Sequence, residues 1–252
     1  MNKISRNFHP IKSGIVILAL LSFLASSNLF ADGATRLATQ AEKDFNKSVL
    51  DVITKALPPA PEGWDRTNDS TEVTELQRVS PGSENFPFRV DYYISWQDTK
   101  RMLEARAKLD AELEKLAKGP AENMTEKNIN ELSKKTAAHD VKIRITLDVN
   151  QFGLGLDEKT KPAASIAGGL VFRSEGEDSP NTGWHEGATY IFLGKGWKVK
   201  RDGVTSVDTT TVKGVPSLTV QAIVVRVEAD PERAKQIISK IDWEALKKLI
   251  KN

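Results

Sequence analysis

The sequence predicts an α+β fold: a mainly antiparallel, twisted sheet of about six or seven strands with an N-terminal helix, an inserted helical hairpin and C-terminal helices. Three observations predict it. Two runs alternate apolar and polar residues without a break, FRVDYYISWQ over 88–97 and VKIRITLDVN over 141–150. Between them, residues 98–140 change to charged, helix-forming sequence. Stretches with helical spacing of apolar residues lie near both ends of the chain.

The N-terminus carries Lys3, Arg6 and Lys12, then the apolar run GIVILALLSFLA from Gly14 to Ala25, then small and polar residues to Ala31. That is the layout of a cleaved secretory signal peptide over residues 1–31. The run falls short of the roughly 18 apolar residues a spanning helix needs. No later segment is as apolar, so no transmembrane segment is expected in the mature chain. The expected location is the periplasm or the exterior.

Residues 32–63 read as an N-terminal helix and a proline-rich connector. Leu37, Ala41, Phe45, Val49, Ile53 and Ala56 recur every three to four residues, one face of an amphipathic helix. Pro58, Pro59 and Pro61 in LPPAPEGW end it, because proline has no backbone donor to continue the helical ladder. Residues 64–252 make up the α+β domain. TEVTELQRV at 71–79 is a first strand candidate, and the two alternating runs follow, each with one buried and one wet face.

The insertion at 98–140 opens with TKRMLEARAKLDAELEKLAKG, where Glu104 stands four before Lys108 and Glu114 four before Lys118, and stops at Gly119 and Pro120. Thr125 is the N-cap signal of a second helix, TEKNINELSKKTAAH. Met102, Leu109, Leu113 and Leu116 on the first helix, with Ile129 and Leu132 on the second, form a narrow apolar seam. Such a hairpin either lies on the sheet or projects as a contact arm for a protein partner or a second copy.

Beyond Val149, QFGLGLDEKTKP reads as a loop, SIAGGLVFR as a strand and SEGEDSPNTG as a polar loop. GATYIFLGKGWKVKRDG reads as two strands joined in a hairpin around Gly194, Lys195 and Gly196. VTSVDTTTV is a short β-branched run, and LTVQAIVVRV, apolar on both faces over its second half, reads as an inner strand. Asp230 and Pro231 start the helix PERAKQIISKI, and Asp242 starts DWEALKKLI.

Composition removes several function classes. The chain of 252 residues has 36 Lys and Arg against 34 Asp and Glu; without residues 1–31 the balance is 33 against 34. A near-neutral chain lacks the clustered positive field that nucleic acid demands, so no nucleic-acid partner is expected. With no cysteine, disulfides, a lipid-anchoring cysteine and thiol chemistry are all excluded. Only His139 and His185 follow residue 31.

Those two histidines, each followed by a carboxylate, are the catalytic candidates: His185 with Glu186 in GWHEGATYIF, and His139 with Asp140. Imidazole and carboxylate are competent zinc ligands. Against a metal site, a helical HExxH pair needs histidine at 189, where Thr189 stands. Adjacent strand residues also point to opposite faces, so neither dipeptide aims both side chains at one ion. GWHEG then reads as a turn entering a strand. No cofactor motif completes itself: GLG at 153–155 lacks the third glycine of a dinucleotide loop, and GKG at 194–196 has no following Ser or Thr. No metal or cofactor is expected. Tyr92, Trp96, Trp184, Tyr190 and Trp197 are the aromatic candidates for a ligand pocket.

The leading expectation is therefore an exported, non-catalytic binding or interaction protein acting through the hairpin. The alternatives are a metal-assisted hydrolase using His185 and Glu186, and a carrier of an apolar or sugar-like ligand.

Overall fold

A computed structural model of the protein describes residues 35–67, 75–82, 85–120, 125–136, 141–179, 183–185, 187–202 and 204–251. In chain order the elements are β1 (Arg36–Leu37), α1 (Gln40–Ala56), β2 (Asp65–Arg66), β3 (Arg78–Val79), β4 (Val90–Gln97), α2 (Thr99–Ala117) and α3 (Glu126–Thr136). Then come β5 (Lys142–Val149), β6 (Gly153–Leu156), β7 (Lys161–Pro162), β8 (Leu170–Ser174), β9 (Glu177–Ser179), β10 (Gly183–His185) and β11 (Ala188–Gly194). The chain ends with β12 (Lys198–Asp202), β13 (Val204–Asp208), β14 (Ala222–Glu228), α4 (Pro231–Ile238) and α5 (Trp243–Leu249). Among the described residues the main sheet has seven strands in the order β2-β4-β5-β14-β11-β8-β7, antiparallel throughout.

Alternation decides which face each residue takes. Tyr92 and Trp96 of β4, Ile143, Ile145 and Leu147 of β5, and Ile223 and Val225 of β14 point to one face, where they are buried in a single cluster with Val49 and Ile53 of α1, Ile237 of α4 and Leu246 of α5. The helices hold this layer together by their own ends: the Asp242 N–H donates to Ala56 O at 2.9 Å, and the Arg233 guanidinium lies 5.0 Å over the Trp64 ring. The expected caps are in place, Thr125 on α3, Asp230 with Pro231 on α4 and Asp242 on α5.

The second face is covered only in part. A three-stranded sheet, β12-β13-β6, lays Leu156 and Val207 over Phe172, Phe192 and Val224. Val224 and Val225 thus bury opposite faces of β14, the fourth of seven strands, as its two-sided apolar sequence predicts.

Three expectations are corrected. QFGLGLDEKTKP is not a plain loop; it supplies β6 and β7. SEGEDSPNTG contributes β9, whose partner is β10, so GWH is itself a short strand. β11 and β12 do not pair. Both edges of β11 are taken, by β8 and by β14, so β12 leaves the sheet and pairs with β13. The departure turns on Gly194, at φ +115, where a Cβ would stand 2.8 Å from Gln221 O. Of TEVTELQRV, Arg78–Val79 is strand, paired with β1, while 71–74 lie outside the described residues.

Asn150 fixes the register of the central strands. It sits at φ 59, just past β5, and is buried. Its Nδ2 donates to Phe88 O at 2.8 Å and Thr219 O at 3.0 Å, and its Oδ1 accepts from the Gln221 N–H at 2.8 Å. Its own N–H donates to Ala222 O at 2.7 Å. One side chain thereby joins the segments leading into β4 and β14 to the end of β5. Asn150→Ala strands two carbonyls and one N–H, and puts alanine in a left-handed conformation that asparagine tolerates better. A loss of about 3 kcal/mol is expected in urea unfolding. A loss below 1 kcal/mol, on the same scale, would mean water replaces the amide.

The N-terminal segment is anchored by one carboxylate. Glu42 closes a capping box with Thr39 and accepts a two-point contact from Arg36, at 2.6 and 2.9 Å, with its side chain only 6 % exposed. The Arg36 hydrogen bonds, against the opposing effect of burial and with help from Thr39, lower its pKa from 4.5 to about 2. A depressed folded pKa means stability that is complete above the unfolded value and lost as pH falls through the folded one. Wild type is therefore expected to lose stability between about pH 4.5 and about pH 2 more steeply than Glu42→Gln, which is already weaker at pH 7 by on the order of 2 kcal/mol. Parallel pH profiles of the two chains would refute the assignment.

Candidate functional site

Two surfaces stand apart from the core: the polar half of the second sheet face and the helical hairpin. On the sheet, register builds two cross-strand rows. Tyr93, Thr146, Arg226 and Tyr190 face one another in turn across β4, β5, β14 and β11, and Asp91 faces Asp148 on the neighbouring row. The wet-face residues of the two alternating runs meet here.

Like charges opposite one another on paired strands are unfavourable, and arginine relieves them. Arg89 Nε lies 2.6 Å from Asp91 Oδ1, and its terminal nitrogen 3.4 Å from Asp148 Oδ1. Arg144 reaches Ser95 Oγ at 3.2 Å and Glu228 at 3.7 Å, and Arg226 pairs with Glu228 while its guanidinium lies 5.5 Å from the Tyr190 ring centre. Burial, then the Asp91 charge, push the Asp148 carboxyl above its ordinary range despite Arg89. Burial likewise raises the Tyr190 phenol, against the pull of Arg226. The array is a charge-balanced surface in which each carboxylate leans on a guanidinium. That arrangement suits polar contact better than proton transfer, which requires a carboxyl aimed at a reacting group.

Four of the aromatic candidates divide between the two faces of the sheet. Tyr92 and Trp96 are buried against the helical layer, while Tyr190 and Trp197 lie on the opposite face. The Trp197 indole N–H donates to Leu193 O at 3.1 Å and its ring packs edge-on against Phe192, centroids 5.0 Å apart, as part of the smaller core. Trp184 is the middle residue of β10, across from Asp178. The sheet itself separates the two pairs.

His185 ends β10, opposite Glu177 of β9. That register neighbour was not legible in the sequence, because SEGEDSPNTG carries no strand pattern. Glu186, His139 and Asp140 lie outside the described residues. Among the described residues no three His, Cys, Asp or Glu gather as a metal site would require.

The hairpin packs on itself. α2 and α3 touch each other, and no residue of α2 is buried. Met102, Leu109, Leu113, Leu116, Ile129 and Leu132 are each only half-buried, and Leu103 is 65 % exposed. A cleft of about 360 Å³ opens between the helices, lined by Glu112, Leu116, Asn128 and Leu132 among others. Both strands flanking the insertion end side by side: Gln97 faces Lys142, and the Asp98 N–H donates to Val141 O at 2.9 Å. No described helix is long and apolar enough to cross a membrane.

No protein-family model matches the chain, and no match is found among curated proteins or solved structures.

The Asp148 arrangement carries a sign that can be checked. A carboxyl whose folded pKa is raised favours folding below its unfolded pKa and loses that advantage as pH rises through the folded value. Asp148→Asn is expected to stabilise the protein at pH 7, by about 0.5 kcal/mol, the scale of a like-charge cross-strand pair. It should leave stability unchanged well below the ordinary aspartate range. Destabilisation at pH 7 would show that the Arg89 contact outweighs the Asp91 repulsion.

Proposed function

We propose that the protein is an exported, non-catalytic interaction protein whose contact element is the α2–α3 hairpin. The observation that carries this reading is the hydrogen-bonded step from Asp98 to Val141, at which β4 and β5 would meet as an ordinary hairpin if residues 99–140 were absent. Those residues form two helices, and none of their described side chains is buried. Short helices are marginal by themselves and are normally stabilised by packing an apolar face. A seam left half-covered is accordingly a surface that gains stability when a partner closes it. Export rests on the residues before Ala31: three basic side chains, an apolar run too short to span, and a small-residue end.

The test replaces residues 99–140 with Asn-Gly, the dipeptide suited to a two-residue turn between antiparallel strands. The shortened chain is expected to keep its fold, with unfolding free energy within about 2 kcal/mol of wild type. Tagged wild-type and shortened chains, cross-linked in the same cells, should differ in that only the first carries a partner. Both should be recovered from the periplasmic or secreted fraction without residues 1–31. Equal cross-linking removes the hairpin from the reading, and recovery of uncleaved chain from the cytosol removes export.

A further inference from the structure

We infer that the partner of the hairpin is the hairpin of a second copy, docked antiparallel as a four-helix bundle; this rests on the reading of the hairpin as the contact element. The first ground is the unspent apolar seam. α2 spans 19 residues and α3 11, so by helical rise the longer helix extends about 28 Å and the shorter about 16 Å. The part of α2 nearest the sheet, with Met102 half-buried and Leu103 at 65 % exposure, runs past the described end of α3.

The second ground is charge. In residues 99–108, the end of α2 at the sheet, four Lys and Arg stand against Glu104 alone, a formal charge of +3. In residues 109–118 and 126–131, towards the tip, five Asp and Glu stand against Lys115, Lys118 and Lys127, a formal charge of −2. The hairpin is a rod with a basic base and an acidic tip. Two such rods side by side in parallel set base on base and repel. Related by a twofold axis across their length, each base meets the other's tip, and the same patch serves both chains. The start of each α2, with Leu103 exposed, then lies beside the tip of the opposite hairpin, and the half-buried leucines face one another, as in antiparallel helical bundles. A basic or acidic partner of uniform charge would match only half of this rod. A second copy matches all of it.

Light scattering coupled to size-exclusion chromatography on the purified protein at about 100 µM tests the idea. Wild type is expected to be dimeric, with its dissociation constant rising about tenfold between low and high salt as the complementary ends are screened. Two sets of exposed positions are then reversed: Lys100→Glu, Arg101→Glu and Lys108→Glu at the base, or Asp110→Lys, Glu114→Lys and Glu131→Lys at the tip. Each triple variant alone should be monomeric, and an equimolar mixture should recover a dimer, because each reversed end then meets an opposite charge. A monomeric wild type overturns self-association, and a dimer indifferent to the reversals overturns the antiparallel docking of the hairpins. Circular dichroism confirms that each variant is folded. If wild type is monomeric yet the full chain, unlike the shortened one, still cross-links to another protein, self-association fails and the hairpin reading stands. If the shortened chain remains dimeric, the hairpin is not what joins the copies and the inference fails.

Discussion

The Asn150 amide is the contact on which the central sheet depends. It joins the end of β5 to the segments that lead into β4 and β14, and so decides which residues of three neighbouring strands stand opposite one another. In a sheet the side-chain period is two, so a slip of one residue exchanges the faces. Ile145 and Leu147 would turn outward, and Arg144, Thr146 and Asp148 would be driven into the helical layer. Burying those charges without partners costs far more than the hydrogen bonds of a shifted ladder return. Register, core and ionic array are therefore one decision, made at a buried asparagine in a left-handed conformation.

From that decision follows the difference between the two faces. One face is sealed by α1, α4 and α5. The other is sealed only where β6 and β13 fold back over β8, β11 and β14. The remaining surface keeps two carboxylates, Asp91 and Asp148, in opposed positions and tolerates them because Arg89 reaches both. The wet side of β4 and β5 is thus held by the guanidinium contacts that offset this repulsion, and the dry side by packing.

The long alternating strands were legible because each has one wet and one dry face, so period two survives over eight or more residues. The C-terminal helices were legible through Asp230, Pro231 and Asp242, whose capping chemistry is local. β6, GLGL, was not: its pairing partner β13 lies about fifty residues away, and two of its four residues are glycine. β11 and β12 are adjacent in sequence but not in the sheet, because vacancy of an edge is a property of the whole topology. The hairpin was legible as two helices, whereas the half-burial of its seam depends on how the two helices pack on each other. At the candidate site, the charged wet faces could be read from 88–97 and 141–150, but the opposition of Asp91 to Asp148 and the reach of Arg144 to Glu228 depend on register. Glu177 opposite His185 was hidden for the same reason.

The step from Asp98 to Val141 also bears on how the chain reaches its fold. β4 and β5 share the longest pairing in the main sheet, eight register positions, yet their near ends are separated by residues 99–140 instead of by two. Bringing distant ends together costs chain entropy before any contact rewards it, and proteins with such separated contacts fold slowly. No tight turn therefore dictates where β4 and β5 meet, and the register of the sheet's longest ladder is left to the Asn150 contacts at its other end.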